Sequence, residues 1–480
     1  MNKTNINYRN NLLLFFIAFF LFTLSSPPLF LDPDVAWHIA AGDYITKSKS
    51  IPFYDPWSYV GLEQQWYNIS WLWDILCSFL NQLVGFHGLS IVLTVFLSLI
   101  CTYCYQSLVS RKYPISHDAI MISLALTSLL FIEIGCLRPQ LISCIMITFF
   151  MNKLYNFYYL NDEKALNKLP FATLIWTNSH GGFLILYALL GVFMAIAVYE
   201  KNKVAIKKII KISITCSLTT LINPTSYKIY IGSLRTLNSV VIDYINEWRP
   251  FFFGQSYSFS MLFLVLIMAG CAFHTHYTEL RIKNSDWLIG LAFLIASLLS
   301  VRNFSNLAIS GMPFIAGIVD RSLPTSKFTV KLKNAHKTLI SILLIIVSVS
   351  IHAFLVITKD DKKIGLNRVP VELIQYTANN YPGSKIINNY NLGGYIILFG
   401  NGKIKHFIDG RAGTAFNERI LNEFIDIINR KISVLETAVK HNVDGVIIHK
   451  MVFKQESEIQ KKNWNIVYNS KKYYLLIKNK

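Results

Sequence analysis

The sequence predicts an α-helical polytopic membrane protein with a small C-terminal α/β domain. Hydrophobic residues make up 53% of the 480 residues, which is a high share for a soluble globular protein. These residues gather in blocks long enough to cross about 30 Å of hydrocarbon. After residue 365 the blocks give way to short strand-like and helix-like segments, and this change predicts the separate C-terminal domain.

The apolar blocks predict about eleven transmembrane spans in windows of roughly nineteen residues. The first block follows a short basic start and lacks a good cleavage site, so we expect an uncleaved signal anchor with a cytoplasmic N-terminus. Two blocks, 169–178 and 307–319, are too short to cross alone and need neighbouring residues, or form broken or re-entrant helices. The predicted spans lie near 11–31, 89–109, 118–136, 139–158, 169–178, 181–199, 206–222, 256–273, 286–302, 307–319 and 338–357.

The distribution of Lys and Arg residues predicts the orientation. With the N-terminus inside, the inner loops carry most of the basic residues before the tail, as the positive-inside rule requires. The formal net charge of +19 therefore belongs to loops at the cytoplasmic membrane, and no basic groove with interleaved aromatic residues indicates nucleic-acid binding. The same orientation places the C-terminal domain outside.

This orientation requires that residues 71–85 do not cross the bilayer. The segment is short and contains Asp74, and it places apolar residues on one helical face, which is typical of an interfacial amphipathic helix. Those residues are Trp71, Ile75, Phe79 and Leu83. The predicted domains are therefore a transmembrane domain over 1–358, with a long first outer loop over 32–88, and an extracytoplasmic α/β domain over 365–480.

Within the C-terminal domain, short apolar runs predict strands and longer amphipathic runs predict helices. The predicted helices cover 370–380 and 416–441. The predicted strands are 384–389, 394–400, 405–410, 444–450, 465–469 and 473–479.

The first outer loop opens with Asp32, Asp34 and His38 directly after the first span. Charged groups beside hydrocarbon are costly and are often retained for function. Asp34 could accept a proton from a hydroxyl, or Asp32 and Asp34 could hold a divalent cation such as Mg²⁺ or Mn²⁺. The structural alternative is that Asp32 caps a helix over about 34–47, with Pro33 at its first position.

Further polar residues fall at predicted outer span ends, where they could bind substrate. Arginines there could bind phosphate oxygens with forked geometry, and His180, before two glycines, could donate a hydrogen bond where the backbone approaches a ligand. The aromatic-rich loop around Asp55 could contact a sugar or mark the membrane interface. In the tail, Asp409 and Arg411 are equally compatible with substrate binding and with an ion pair. The candidate binding residues are His38, Asp55, Arg138, Asn178, His180, Glu247, Arg302, Asp409 and Arg411.

Ten ordered segments together resemble a family of prokaryotic polytopic membrane proteins related to the GT-C glycosyltransferases, of mannosyltransferase or oligosaccharyltransferase type. They span nearly the whole chain, and their order is more specific than any one of them. The segments are DPDVAWHIAAGDYI (32–45), PFYDPWSY (52–59), WYNISWLW (66–73), LRPQL (137–141), WTNSHGGFL (176–184), LINPTS (221–226), INEW (245–248), RNFSNLAISGMP (302–313), YNLGGYI (390–396) and FIDGRAG (407–413).

The resemblance implies a GT-C-like hexosyltransferase that takes sugar from a polyprenyl-phosphate carrier at the outer face of the cytoplasmic membrane. It matches Asp34, or Asp32, to the acidic residue expected as general base or metal ligand. Two other functions stay open. A transporter or flippase for lipid-linked sugar would place polar groups near the midplane and show two related halves. An envelope-assembly scaffold would leave the loop acids with structural roles only.

Overall fold

The computed structural model describes residues 8–25, 32–61, 64–111, 115–134, 136–250, 283–322, 369–479 and isolated positions between 339 and 350. The chain divides into two compact units. The first unit, the helical unit, comprises Met1–Pro27, Ser90–Asn223 and Ile245–Thr358. The second, the loop–sheet unit, comprises Pro28–Leu89, Pro224–Tyr244 and Lys359–Lys480.

Helices build the first unit, and each predicted span except two falls on a described helix. Spans 256–273 and 338–357 lie outside the described residues, apart from isolated positions of the latter. The predicted span 307–319 is divided between two helices, as expected for a block too short to cross. The helices are Tyr8–Ser25, the second half of Trp71–Ser110, His117–Ile134, Gln140–Leu160, Leu169–Ser179, Ile185–Tyr199, Lys203–Thr220, Asn284–Leu299, Phe304–Ser310 and Met312–Ser322.

Two helical segments, Trp71–Ser110 and Gly181–Tyr199, are long and apolar enough by themselves to cross a membrane. The helix Leu169–Ser179 has 11 residues, which at about 1.5 Å per residue is well short of a 30 Å hydrocarbon layer. The number of crossings therefore stays a prediction, whereas the helical character of the predicted spans is observed wherever they are described.

A buried ion pair fixes one end of the helical unit. The Nη1 atom of Arg111 donates to Oδ1 of Asp286 at 2.7 Å, and each side chain is only 2% exposed. Arg111 directly follows the helix Trp71–Ser110, and Asp286 lies in the first turn of Asn284–Leu299. Removing either partner would leave an uncompensated buried charge, which typically costs about 3–5 kcal/mol.

The loop–sheet unit begins with a helix over Asp34–Ser48, named here the loop helix, followed by the first half of Trp71–Ser110. Gly85 interrupts that long helix with φ of 69°, a conformation that glycine adopts at little cost. Phe79 and Leu83 are exposed while Trp73 and Asp74 are buried. The segment before Gly85 is thus an amphipathic helix with an outward apolar face, and its location at the membrane interface stays a prediction.

A five-stranded mixed sheet forms the rest of this unit, with strand order β2-β1-β3-β5-β4. β1 pairs in parallel with β2 and β3, and β5 pairs antiparallel with β3 and β4. The strands are β1 (Lys385–Ile387), β2 (Lys405–His406), β3 (Gly445–His449), β4 (Trp464–Asn469) and β5 (Tyr473–Lys478). The accompanying helices include Lys228–Leu237, Val371–Asn380, Tyr390–Phe399, Glu418–Ile428, Val434–Lys440, Lys450–Phe453 and Glu458–Lys461.

The predicted strand over 394–400 is wrong, because the chain forms the helix Tyr390–Phe399. The Asn389 side chain caps it by accepting the amide hydrogen of Asn391, which satisfies one of the unpaired donors at the start of a helix. Gly394 lets the helix pack closely on the loop helix, since a Cβ there would lie 2.4 Å from the Pro33 carbonyl oxygen. The predicted helix over 416–441 is likewise two helices, divided near Arg430, whose φ is 58°.

Candidate functional site

Asp34 is the first residue of the loop helix, and its carboxylate has defined neighbours. The Trp37 indole Nε1 donates to Asp34 Oδ1 at 3.2 Å. The backbone at Gly410 also lies against this carboxylate, since a Cβ on Gly410 would be 1.9 Å from Oδ1. Asp34 is half-buried. An indole N–H and a close backbone therefore fix the orientation of a carboxylate that keeps some exposure.

Asp32 has a more structural environment than Asp34. It is 4% exposed, and its Oδ1 accepts the amide hydrogen of Asp34 at 3.1 Å. Pro33 occupies the cap position and Asp34 the first helical position, one residue later than the capping hypothesis expected. The hydrogen bond itself agrees with that hypothesis, so Asp32 orders the start of the helix and Asp34 is the better candidate base.

His38 is buried and contacts a carboxylate from another helix. Its Nδ1 lies 2.5 Å from Asp74 Oδ1, and the two side chains are 3% and 0% exposed. Because an ionised carboxylate only accepts hydrogen bonds, Nδ1 carries the hydrogen. Asn68 Nδ2 donates to the other Asp74 oxygen at 2.7 Å. His38 is thus an oriented side chain inside the unit.

Asp55, Asp409 and Arg411 form one buried network, although 356 residues separate Asp55 from Arg411. Arg411 Nη1 donates to Asp55 Oδ1 at 2.9 Å, and its Nη2 donates to Asp409 Oδ2 at 2.6 Å. The three side chains are 0% exposed. His406 Nε2 lies 2.6 Å from Asp409 Oδ2. This geometry favours the ion-pair alternative for Asp409 and Arg411.

Burial and neighbouring positive charge shift the pKa of Asp409 in opposite directions. Burial raises the pKa of its carboxyl, but the positive charge of Arg411 and the hydrogen bond from His406 lower that pKa by more. The net pKa is well below the usual range, so Asp409 stays ionised at neutral pH. For Arg411, burial lowers the pKa of the guanidinium, but the negative charges of Asp409 and Asp55 raise that pKa by more. The guanidinium therefore stays charged.

In the helical unit, Arg138, Glu247 and Arg302 come together. Arg138 Nη1 donates to both Glu247 oxygens, at 2.8 and 3.0 Å, and Arg302 Nη1 donates to Oε1 at 3.0 Å. Arg302 also lies over the Trp248 ring at 4.5 Å. Burial raises the pKa of Glu247, but the two arginine charges lower it by more. Glu247 is thus a shared acceptor that holds the two guanidiniums together.

Asn178 and His180 make mostly internal contacts in the helical unit. Asn178 Nδ2 donates to the carbonyl oxygens of Leu174 and Ile222, at 2.8 and 2.9 Å. His180 Nδ1 lies 2.6 Å from Ser143 Oγ. A Cβ on Gly182 would lie 2.6 Å from His180 Nδ1. The glycine there accommodates His180 itself, so ligand binding by either polar residue stays a prediction.

The described residues contain no group of three or more His, Cys, Asp or Glu side chains arranged to hold a metal ion. Asp32 and Asp34 supply two carboxylates. Mg²⁺ usually binds through one or two carboxylates together with water and substrate phosphates, so a cation at these two residues would need further ligands from a phosphorylated substrate. A divalent cation at these residues stays a prediction.

The sequence indicated no role for Asp74, Trp37 or Ser143, which contact the predicted site residues His38, Asp34 and His180. It indicated none for Asn68 either, which donates to Asp74. Asp74 gave a usable signal, because an acidic residue inside an otherwise apolar amphipathic segment is expensive without a partner. Trp37 and Asn68 gave none. Their partners Asp34 and Asp74 are only three and six residues away, but closeness in sequence does not specify a side-chain hydrogen bond.

No known protein-family model matches the sequence, and no curated protein matches it. Solved structures do match, and they define a class: the chain has the fold of GT-C glycosyltransferases. The archaeal oligosaccharyltransferase AglB from Archaeoglobus fulgidus, in complex with an inhibitory peptide and a dolichol-phosphate, gives a TM-score of 0.60 at 11% identity. That match covers 100% of this chain and 75% of AglB.

ArnT from Cupriavidus metallidurans, in the apo state, gives a TM-score of 0.51 at 10% identity and covers 96% of both chains. Identities this low establish the fold only. The GT-C relationship expected from the ordered sequence segments is therefore confirmed at the level of fold.

Proposed function

We propose that this protein is a membrane glycosyltransferase that transfers a sugar from a polyprenyl-phosphate-linked donor to an acceptor at the outer face of the cytoplasmic membrane. The environment of Asp34 carries the proposal. A half-buried carboxylate with an oriented oxygen, at the start of the first outer loop, suits a general base. The fold shared with AglB and ArnT supports the reaction class, and the dolichol-phosphate bound to AglB supports a lipid-phosphate donor.

In the proposed reaction, Asp34 accepts the proton of an acceptor hydroxyl. The hydroxyl oxygen forms a bond to the anomeric carbon of the donor sugar, and the bond from that carbon to the phosphate oxygen breaks. The leaving lipid phosphate keeps the electron pair. If a divalent cation takes part, Asp32 and Asp34 would hold it, and it would supply positive charge to the phosphate.

Arg138 and Arg302 are the proposed ligands of the lipid phosphate. Both are partly exposed, at 15% and 25%, and both donate to Glu247. Guanidinium groups match phosphate oxygens in planar, forked geometry. The guanidinium groups would stabilise the phosphate as negative charge develops on it during departure.

The test is turnover of purified protein supplied with polyprenyl-phosphate sugars and candidate acceptors. Asp34→Asn should lower kcat by about 10²-fold or more, the usual contribution of a general base. Asp43→Asn is the matched control. Asp43 lies in the same helix, and its carboxylate accepts a hydrogen bond from Gln82 Nε2 at 3.3 Å. Undiminished turnover in folded Asp34→Asn removes Asp34 as base. Translocation of lipid-linked sugar without transfer would instead support a transporter.

A further inference from the structure

Asp74 is a fully buried acid that contacts the loop helix through His38. It is 0% exposed and lies in the first turn of Trp71–Ser110, where the helix dipole favours negative charge. Asn68 Nδ2 donates to its Oδ2, and Ser70 Oγ donates to its Oδ1 at 3.3 Å. Asn68 is itself held, because its Oδ1 accepts the Ser70 amide hydrogen at 3.0 Å. Asp74 therefore has a fixed position and three donors, including His38.

The loop helix packs directly on this acid. A Cβ on Gly42 would lie 2.0 Å from the Asp74 carbonyl oxygen, so the two helix backbones are in close contact at this point. His38 projects from the loop helix to Asp74, and its position is fixed by the 2.5 Å contact of Nδ1. The imidazole cannot turn without leaving a buried carboxylate short of one partner.

His38 in turn supports the Trp37 side chain. The two rings have centroids 3.6 Å apart and planes tilted by 30°. Trp37 is 9% exposed, and its Nε1 donates to Asp34 Oδ1. The contacts therefore run without a gap from Asp74 to His38, then to Trp37, and then to Asp34.

We propose that Asp74, His38 and Trp37 are positioning residues that hold the Asp34 carboxylate in one orientation, with the Trp37 N–H as the group that contacts it. This proposal rests on the proposed function, in which Asp34 is the base. A base must be held within a fraction of an ångström of its productive position. Trp37 is a polar contact that links the buried His38–Asp74 hydrogen bond to the base.

The decisive variant is Trp37→Phe, which keeps an aromatic ring against His38 and removes the N–H donor. We expect kcat to fall about tenfold, the usual size for one hydrogen bond to a charged group, while the donor KM changes less than twofold. Asp74→Asn and His38→Gln should lower kcat in the same way. Trp464→Phe is the matched control, since it is a buried tryptophan of the same unit, and no described residue hydrogen-bonds to its Nε1.

A second measurement needs no turnover. Carbodiimide labelling of Asp34, quantified by mass spectrometry on the full-length protein without substrate, should rise about threefold or more in Trp37→Phe and stay at the wild-type level in Trp464→Phe. Equal labelling and equal kcat in the two variants would overturn the positioning role, even if Asp34→Asn abolishes turnover. Raised labelling in Trp37→Phe with active Asp34→Asn would support the positioning and reject Asp34 as base.

Discussion

The substitution Arg411→Met tests whether the network of Arg411, Asp55 and Asp409 stabilises the loop–sheet unit. Methionine keeps much of the side-chain volume but leaves two carboxylates buried without their common cation. Breaking a buried ion pair by removing one partner costs about 3–5 kcal/mol. Arg411 also stacks on Trp66 and Trp57, with its Cζ atom 4.7 and 5.0 Å from the ring centroids. Loss of these contacts in the variant would lower stability further.

The expected readout is the Tm of the purified, detergent-solubilised protein. Since 1 kcal/mol corresponds to about 2–4 °C in a domain of 150–250 residues, Arg411→Met should lower Tm by about 6–20 °C at pH 7. Arg419→Met is the matched control, because Arg419 is exposed in the same unit and should change Tm by less than about 2 °C. A decrease in Tm of less than about 3 °C for Arg411→Met would refute the stabilising role.

The pH dependence gives a second check on the same variant. In the wild type, the folded-state pKa of Asp409 lies below its ordinary value of about 3.9, so its stabilising contribution is present above that value and is lost as the pH falls. Without Arg411, the effect of burial, which raises the pKa of the Asp409 carboxyl, loses its largest opposing contribution. Protonation of Asp409 on acidification then relieves the destabilisation. The Tm difference between variant and wild type should therefore shrink from pH 7 to pH 4.

Two further predictions concern the helical unit and the orientation of the chain. Arg138→Gln and Arg302→Gln should each raise the donor KM about tenfold or more, since each removes a charged donor for phosphate. Lys228→Gln, the control, should leave the donor KM unchanged. Initial rates at varied donor concentration measure the KM, and an unchanged KM in both arginine variants would contradict the phosphate role. Reporter fusions at residues 205 and 370 should report opposite sides of the membrane, and finding both on one side would disprove the predicted orientation.

Local patterns were sufficient to predict most of the helices and strands. The apolar blocks coincide with helices wherever they are described, and β3 and β5 match their predicted runs. The error at 394–400 has a specific cause. A run such as Tyr395 to Phe399 fits a buried strand or a buried helix equally well, and the choice depends on Gly394 packing against Pro33, a contact that periodicity cannot predict.

The sequence predicted which residues belong to the candidate site better than it predicted what each of them does. Asp34 stood out because two acids follow the first span directly. Asp55 and Arg411 also stood out as charged residues in polar segments, yet each is the other's partner across most of the chain. A single sequence gives no information on pairing over such a distance, so the sequence alone does not separate substrate binding from internal ion pairing.

The difference in solvent exposure between the two clusters gives a physical reason to assign them different roles. In the loop–sheet unit, one guanidinium lies between two carboxylates, and all three side chains are closed to solvent. In the helical unit, one carboxylate lies between two guanidiniums, and all three side chains are 15–28% exposed. Burial without solvent contact suits an ion pair that orders the chain, since substrate cannot reach it without breaking it. Partial exposure leaves a guanidinium within reach of an anion, and this contrast in exposure is why Arg138 and Arg302, and not Arg411, are the proposed phosphate ligands.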